Sequence, residues 1–197
     1  TPPAWESEGS TTYLLGTDHL GRDILSRIIH GARFSLIVAG IALALGGTVG
    51  TLLGLVSGWY GGWVDELIMR LVDIKVALPT ILVALVLVVA LGQHYWVLIG
   101  VISLTIWPRF ARMVRGEALD LKTHDYVALA KVAGASNSRI IFKHLLPGVA
   151  NTLIVVASLE VGVVILLEAT LSFLGAGVRP PTPAWGSMVS VGRDRIA

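Results

Sequence analysis

The stretch FSLIVAGIALALGGTVGTLLGLVSGWY, residues Phe34–Tyr60, contains no charged side chain. A helix needs about 20 predominantly apolar residues to cross the hydrocarbon core of a bilayer, and this run exceeds that length, so it predicts a membrane span. The rest of the chain agrees. Of its 197 residues 54% are hydrophobic and only 14% charged, and the mean hydropathy is +0.77; a soluble domain carries about a quarter charged residues. The expected fold class is therefore an all-α integral membrane protein, a polytopic helix bundle. A net charge of +2 is too small to point to nucleic acid, and with no cysteine neither disulfides nor thiol chemistry can contribute. The chain opens at Thr1 without the basic, apolar and cleavage-site order of a signal peptide, and it stops at Arg193-Asp194-Arg195-Ile196-Ala197, so it is expected to be a fragment.

Outward from the first span, Val76–Pro108 again lacks formal charge but is too long for one helix and is interrupted at Gly92-Gln93-His94. It reads as two antiparallel spans joined by a tight turn. The first of these is expected to begin near Leu67, with Arg70 and Lys75 reaching toward headgroups and Pro79 kinking the helix. The last span is expected at Leu146–Leu174 and contains Glu160 and Glu168. About four spans result. They place segments 59–75 and 109–143 on one side with nine Lys and Arg, and both chain ends on the other with six. The positive-inside rule puts the 109–143 loop in the cytoplasm, although Arg22, Arg27 and Arg33 pull the other way.

Gly46, Gly50, Gly54 and Gly58 recur at every fourth residue of the first span. Such a stripe lets two helix backbones approach closely where lipid gives no hydrophobic drive, so it is expected to pack on another helix of this chain, with a subunit interface or gate as the alternative. Glu160 and Glu168 lie eight residues apart, about 80° around a helix, so both can face a protein interior. An intramembrane carboxylate is a pathway candidate; the plainer reading is an interhelical hydrogen bond, favoured for Glu168 and evenly balanced for Glu160. His19, His30, His94, His124 and His144 form no i, i+4 pair, and no metal site is expected from them. No phosphate-binding loop, nucleophile elbow or zinc-protease helix occurs, so any energy source must be an ion gradient or another polypeptide.

The polar loop carries the local pattern with the most content. Tyr126–Ala133 holds helix formers with small side chains at Ala128, Ala130 and Ala133, and Gly134 can close the helix in a left-handed cap. Ser136 or Asn137 can cap a second short helix, Arg139–Leu145, before Pro147 starts the span. Two short helices joined at a glycine are expected to lie across the membrane face, small residues against a partner's groove and Lys131, Arg139 and Lys143 at the polar rim. An interfacial amphipathic helix would have similar composition.

Motifs in order along the chain extend this reading. Leu15-Gly16-Thr17-Asp18-His19-Leu20-Gly21-Arg22-Asp23, Gly31-Ala32-Arg33-Phe34-Ser35-Leu36, Gly61-Gly62-Trp63-Val64-Asp65, Met69-Arg70-Leu71-Val72-Asp73, Ala77-Leu78-Pro79, Glu168-Ala169, Leu171-Ser172-Phe173-Leu174-Gly175 and Pro180-Pro181-Thr182-Pro183-Ala184-Trp185-Gly186 resemble permease subunits of dipeptide, oligopeptide and nickel ABC importers. That family's coupling motif reads E-A-A, three residues, G, nine residues, I-x-L-P. Here Ala130, Gly134, Leu146 and Pro147 fall on its second Ala, Gly, Leu and Pro, while Ala128 replaces the Glu, Leu129 the first Ala, and His144 stands at the Ile.

The resemblance implies the type I ABC importer permease fold, with residues 1–33 extracytoplasmic, 34–175 the transmembrane domain with a cytoplasmic coupling loop at about 109–145, and 176–197 an extracytoplasmic loop cut before a final span; the first of six spans would also lie outside. It implies ATPase coupling through Ala128, Ala130, Ala133, Gly134, Ala135, His144, Leu146 and Pro147. The implied setting is a bacterial or archaeal inner membrane. The implied partners are a second homologous permease, two ATP-binding subunits that hydrolyse the ATP, and an extracytoplasmic solute-binding protein, with membrane lipid around it; no cofactor is bound by this chain. Peptide is the expected solute, with nickel as runner-up. A carrier of another class, coupled to an ion gradient through Glu160 and Glu168, and a scaffold that moves no solute are the rivals.

Overall fold

The computed structural model describes residues 1–178 and 182–196. Among the described residues the regular structure is helical, apart from one isolated bridge between Thr17 and Asp23. Pro180 and Pro181 of the outer Pro-Pro-Thr-Pro motif lie outside them.

Helix α1, Ile24–Tyr60, starts well before the first apolar run. Its N-cap is Asp23, whose carboxylate accepts from the Ser26 amide at 3.0 Å and satisfies one donor that the first turn leaves free. Gly61 ends it at φ +65°, and α2, Gly62–Ala77, follows at once. The kink expected at Pro79 is a break. Leu78, held extended ahead of the proline, separates α2 from α3, Thr80–Leu91, and the two helices meet at 88°. Gly92 at φ +96° closes α3, and α4 runs Tyr95–Leu121, so the tight turn falls at Gly92-Gln93-His94.

The polarity that begins at Arg109 is not a loop as far as Leu121. Phe110, Ala111, Val114 and Ala118 are buried at helical spacing, so the first part of the expected loop is the amphipathic end of α4. Beyond it come α5, Asp125–Val132, α6, Asn137–Ile140, a π turn over Ile141–Leu145, the single turn α7, Leu146–Gly148, and α8, Ala150–Phe173. An outer helix, α9, Trp185–Ile196, completes the chain described. Helices α1, α4 and α8 are each long and apolar enough to cross a membrane, and the bent pair α2–α3 qualifies as a fourth crossing.

The most extensive contact joins α1 to α4. A methyl group added at Gly46 would lie 2.7 Å from the Ser103 carbonyl oxygen, at Gly50 2.4 Å from that of Trp107, at Gly54 2.6 Å from that of Ala111, and at Gly58 2.7 Å from Ala118 Cβ. The stripe is thus filled by the α4 backbone. Around it Val38, Ala42, Ile102, Val164 and Leu171 form one buried cluster, and Leu55, Trp59, Val114, Ala118 and Ile140 another. At the opposite end from α5, Trp185 Nε1 donates to the Ile28 carbonyl at 3.0 Å, tying α9 to α1.

Before α1, Asp18 organises the Gly16–Asp23 turn. It accepts from the amides of Leu20 at 2.9 Å and Arg22 at 3.0 Å and from Arg22 Nε at 2.8 Å. Partial burial pushes its carboxyl up, but the two amides and the Arg22 guanidinium outweigh this and hold it at about 2, against an ordinary 3.8.

Two outcomes are expected. Gly50→Ala forces α1 off the Trp107 carbonyl and costs about 1–3 kcal/mol, read as a fall in thermal midpoint in detergent; Gly40→Ala, where an added methyl meets nothing within 4 Å, leaves the midpoint unchanged or slightly raised. Asp18 binds its proton more weakly folded than unfolded, so its contribution is present above about pH 4 and is lost as the pH falls toward 2; amide exchange at Leu20 and Arg22 should quicken across that window, and Asp18→Asn should remove the pH dependence.

Candidate functional site: a helical platform and two buried glutamates

The segment between α4 and α8 is a folded platform. Helix α5 ends in a Schellman cap: Gly134 takes φ +76°, and the Ala135 amide donates back to the Ala130 carbonyl at 3.0 Å, the six-to-one bond of that motif. Ala130 and Ala135, whose apolar contact accompanies such a cap, both pack against the buried cluster of Leu55, Trp59 and Val114. Small residues at these two positions let the cap sit on the core. Gly134 is needed for its backbone conformation, since nothing stands within 4 Å of where a Cβ would be.

Ser136 is the N-cap of α6, accepting from the Arg139 amide at 3.4 Å. The π turn then lets the Leu146 amide reach the Ile141 carbonyl immediately before Pro147, which has no amide to donate. Gly148 is close-packed, an added methyl falling 2.6 Å from Leu121 Cδ1. From Ser136 onward the chain is nearly continuous helix into α8.

The platform is fastened from below. Val127, Ile140 and Leu145 are fully buried with Leu55 and Ala118. Trp59, at the end of α1, takes Lys131 Nζ over its ring at 4.5 Å, and Lys122 Nζ donates to its carbonyl at 2.7 Å. Lys131, expected at the rim, is exposed there and lays its ammonium over this ring as a clamp. The outer face carries Tyr126, Leu129, Val132 and Phe142, with Leu129 68% and Val132 87% exposed. Ala128, Ala133 and Gly134 are exposed on the same segment, as are Arg139 and Lys143. His144 is half-buried, its ring 6.1 Å from that of Tyr126; Leu146 is half-buried and Pro147 exposed.

The two intramembrane glutamates differ. Glu168 is fully buried and accepts from Ser35 Oγ of α1 and from Ser172 Oγ, each at 2.7 Å. Glu160 is 5% exposed and pairs with Arg109 of α4, Nη1 to Oε1 at 2.6 Å, while Oε2 is buried without a hydrogen-bond partner. Sequence reading missed Arg109 as a partner because it stood at the start of the expected loop. It also missed Lys75, whose Nζ donates to the Thr105 carbonyl at 2.5 Å beside Pro108. A third missed group is Arg115, bidentate on Asp65, which also accepts from Ser57. The sequence signal for these was a basic i, i+3, i+6 series, Arg109, Arg112 and Arg115, interleaved with apolar residues, which marks one face of a helix.

The chain matches, over residues 50–193, the family described as binding-protein-dependent transport system inner membrane component. Among its relatives, the glutathione transport system permease protein GsiD of Pectobacterium atrosepticum is 41% identical over 185 residues, 94% of this chain and 62% of that protein. The di/tripeptide transport system permease protein DppC of Pseudomonas aeruginosa is 42% identical over 196 residues, 100% and 65%. The dipeptide transport system permease protein DppC of Haemophilus influenzae is 44% identical over 192 residues, 98% and 65%. The chain thus spans just under two thirds of the length of these relatives.

Trp59→Ala should release α5 without unfolding the spans. Losing the ring and its contact with Lys131 raises amide exchange over Val127–Ala133 by about tenfold or more, while exchange over Ile99–Ile106 of α4 stays unchanged; equal protection of α5 in both proteins would show that Trp59 does not fasten the platform.

Proposed function

The chain belongs to the family of inner membrane components of binding-protein-dependent transport systems, is accordingly a multi-pass membrane protein and a transport subunit, and on that premise we propose that it docks an ATP-hydrolysing partner through residues 126–147. In this reading the chain is the permease subunit of an ATP-driven importer. It forms half of the translocation pathway beside a second, similar permease, receives solute from an extracytoplasmic binding protein, and leaves ATP hydrolysis to two partner subunits. The platform faces the cytoplasm, with 109–121 forming the end of α4 that leads to it; residues 1–33 and 176–197 lie on the other side. Di- or oligopeptide is the solute class we propose, in keeping with the peptide permeases among its relatives.

The observation that carries the docking reading is the combination of an exposed apolar row, Leu129, Val132 and Phe142, with a base that cannot flex independently. A large apolar surface on a charged membrane face is a partner site. Because Val127 and Ile140 are buried against α1 and α4, and the platform runs through the π turn into α8, a partner that pulls on it pulls on three spans together. Rocking of packed helices about a central site is an established route to alternating access. A loose linker would absorb the displacement before any span moved.

Gly134→Asp tests the assignment. The position has room for a side chain, and Asp tolerates the left-handed backbone better than most residues, so the full-length variant should insert normally. ATP-dependent uptake should nevertheless fall by about tenfold or more, as an unpaired charge enters the interface; normal uptake would sink the docking role. A single cysteine at exposed Ala133 should also crosslink to the ATPase with a yield that changes on adding ATP.

A further inference from the structure

A cleft of 370 Å³ opens between α2, α4 and α8, its walls including Val76, Pro108, Arg109, Met113, Leu159 and Glu160. Arg109 is about 21 Å along α4 from its first residue and Glu160 about 15 Å along α8, at 1.5 Å per residue, so both sit near the middle of their helices. The Arg109 side chain is nonetheless 59% exposed. A guanidinium at that depth does not face acyl chains; it faces a protein interior or a water-filled path. The charges around it are few and specific. Arg109 holds one oxygen of Glu160, and the other oxygen is buried and unpartnered. Lys75 lies within electrostatic reach of both. Arg112, also on the cleft wall, is occupied by Asp73 of α2 at 2.7 Å.

We propose that this cleft is a solute-contact site on the translocation pathway and that it takes a small zwitterion, the solute carboxylate on Arg109 and the solute ammonium on Glu160. The assignment rests on the permease reading above and goes beyond it by naming the charges that meet the solute. The Arg109–Glu160 pair is the empty site's own internal salt bridge. When a zwitterion enters, its carboxylate replaces Glu160 at Arg109 and its ammonium replaces Arg109 at Glu160, so one ion pair becomes two and the idle Glu160 oxygen gains a donor. A planar guanidinium suits a carboxylate because it can donate two parallel N–H bonds. Lys75 adds positive field from outside the cleft lining, with one ammonium N–H on the Thr105 carbonyl. The apolar walls, Val76, Met113 and Leu159, leave the side chains of the solute unread, which fits a pathway that admits varied peptides and selects on their termini.

The test uses the assembled full-length transporter in nanodiscs with a single cysteine at Met113, which is exposed on the cleft wall. Modification by a water-soluble methanethiosulfonate is followed with dialanine, with dialanine amide and with neither. Expected is modification that dialanine slows, with the half-protecting concentration about tenfold higher for the amide, the loss of one charge-assisted contact. In the Arg109→Gln background the acid and the amide should protect alike, and Arg109→Lys should fall between. Should Arg109→Gln not assemble, the acid-to-amide ratio on the Met113→Cys protein alone decides. No modification at all would mean that a partner subunit or lipid covers the cleft, and would overturn the proposal. So would modification that neither peptide slows in a transporter that still takes up dialanine on ATP, which leaves the importer reading standing. Absence of ATP-dependent dialanine uptake by the unmodified transporter would overturn the peptide reading and the zwitterion assignment together.

Discussion

The backbone-to-backbone contact of α1 with α4 is the constraint on which the rest of the structure depends. In lipid there is no hydrophobic gain in bringing two apolar helices together, so proximity must come from packing and from small side chains. Gly46, Gly50, Gly54 and Gly58 supply it over more than three turns of helix. The same registration fixes both ends of the pair. At one end it sets Trp59 and Leu55 beside Val114 and Ala118, and that surface is the floor on which α5 and α6 rest. Along the far side of α4 it leaves Arg109, Arg112 and Arg115 turned toward α8 and α2, where each meets a carboxylate, Glu160, Asp73 and Asp65.

The carboxylates of Glu168, Asp65 and Glu160 solve the same physical problem in different ways. A charge or strong dipole taken out of water needs partners. Glu168 has two hydroxyl donors, Ser35 of α1 on one oxygen and Ser172 of its own helix on the other, so both oxygens are satisfied. Asp65 is saturated by a bidentate guanidinium and Ser57. Glu160 alone among the three has an oxygen left without a partner, and its one partner, Arg109, is half in the open. A pair with one partner buried and the other more than half exposed gives little net stability, and an exchange of partners accounts for its place at the wall of a cleft.

The number and order of the spans were legible because runs such as Phe34–Tyr60 exceed the about 20 apolar residues that cross a bilayer. The double-helix platform was legible too, through Gly134 and Ser136, whose conformational and capping preferences are local. What could not be read was anything that depended on which face of a helix meets which neighbour. Arg109–Leu121 resembles a loop by polarity; only the burial of Phe110, Ala111, Val114 and Ala118 against α1 makes it a helix end. Pro79 announces an interruption, but whether the chain kinks or turns through 88° depends on where α2 finds its packing. Lys131 is exposed at the rim as its charge predicts, but its contact with the ring of Trp59, distant in sequence, could not be read.

Platform and cleft share one element. Glu160 lies 11 positions beyond Val149 on α8, about 16 Å along the helix, and Val149 is itself fully buried at the platform's edge. Arg109 belongs to α4, which packs on the platform through Val114 and Ala118 and joins α5 by the turn at 122–124, where the His124 amide donates to the Leu121 carbonyl at 3.1 Å. A displacement of the platform therefore reaches Glu160 along nearly continuous helix and reaches Arg109 across a three-residue turn and side-chain packing that can slide. The π turn over Ile141–Leu145, with its Leu146 amide on the Ile141 carbonyl, lies on the first route. Unequal stiffness along the two routes is what would let a pull at the platform become a relative movement between the two halves of one ion pair. If both routes were equally rigid, α4 and α8 would tilt as one body and the Arg109–Glu160 distance would not change.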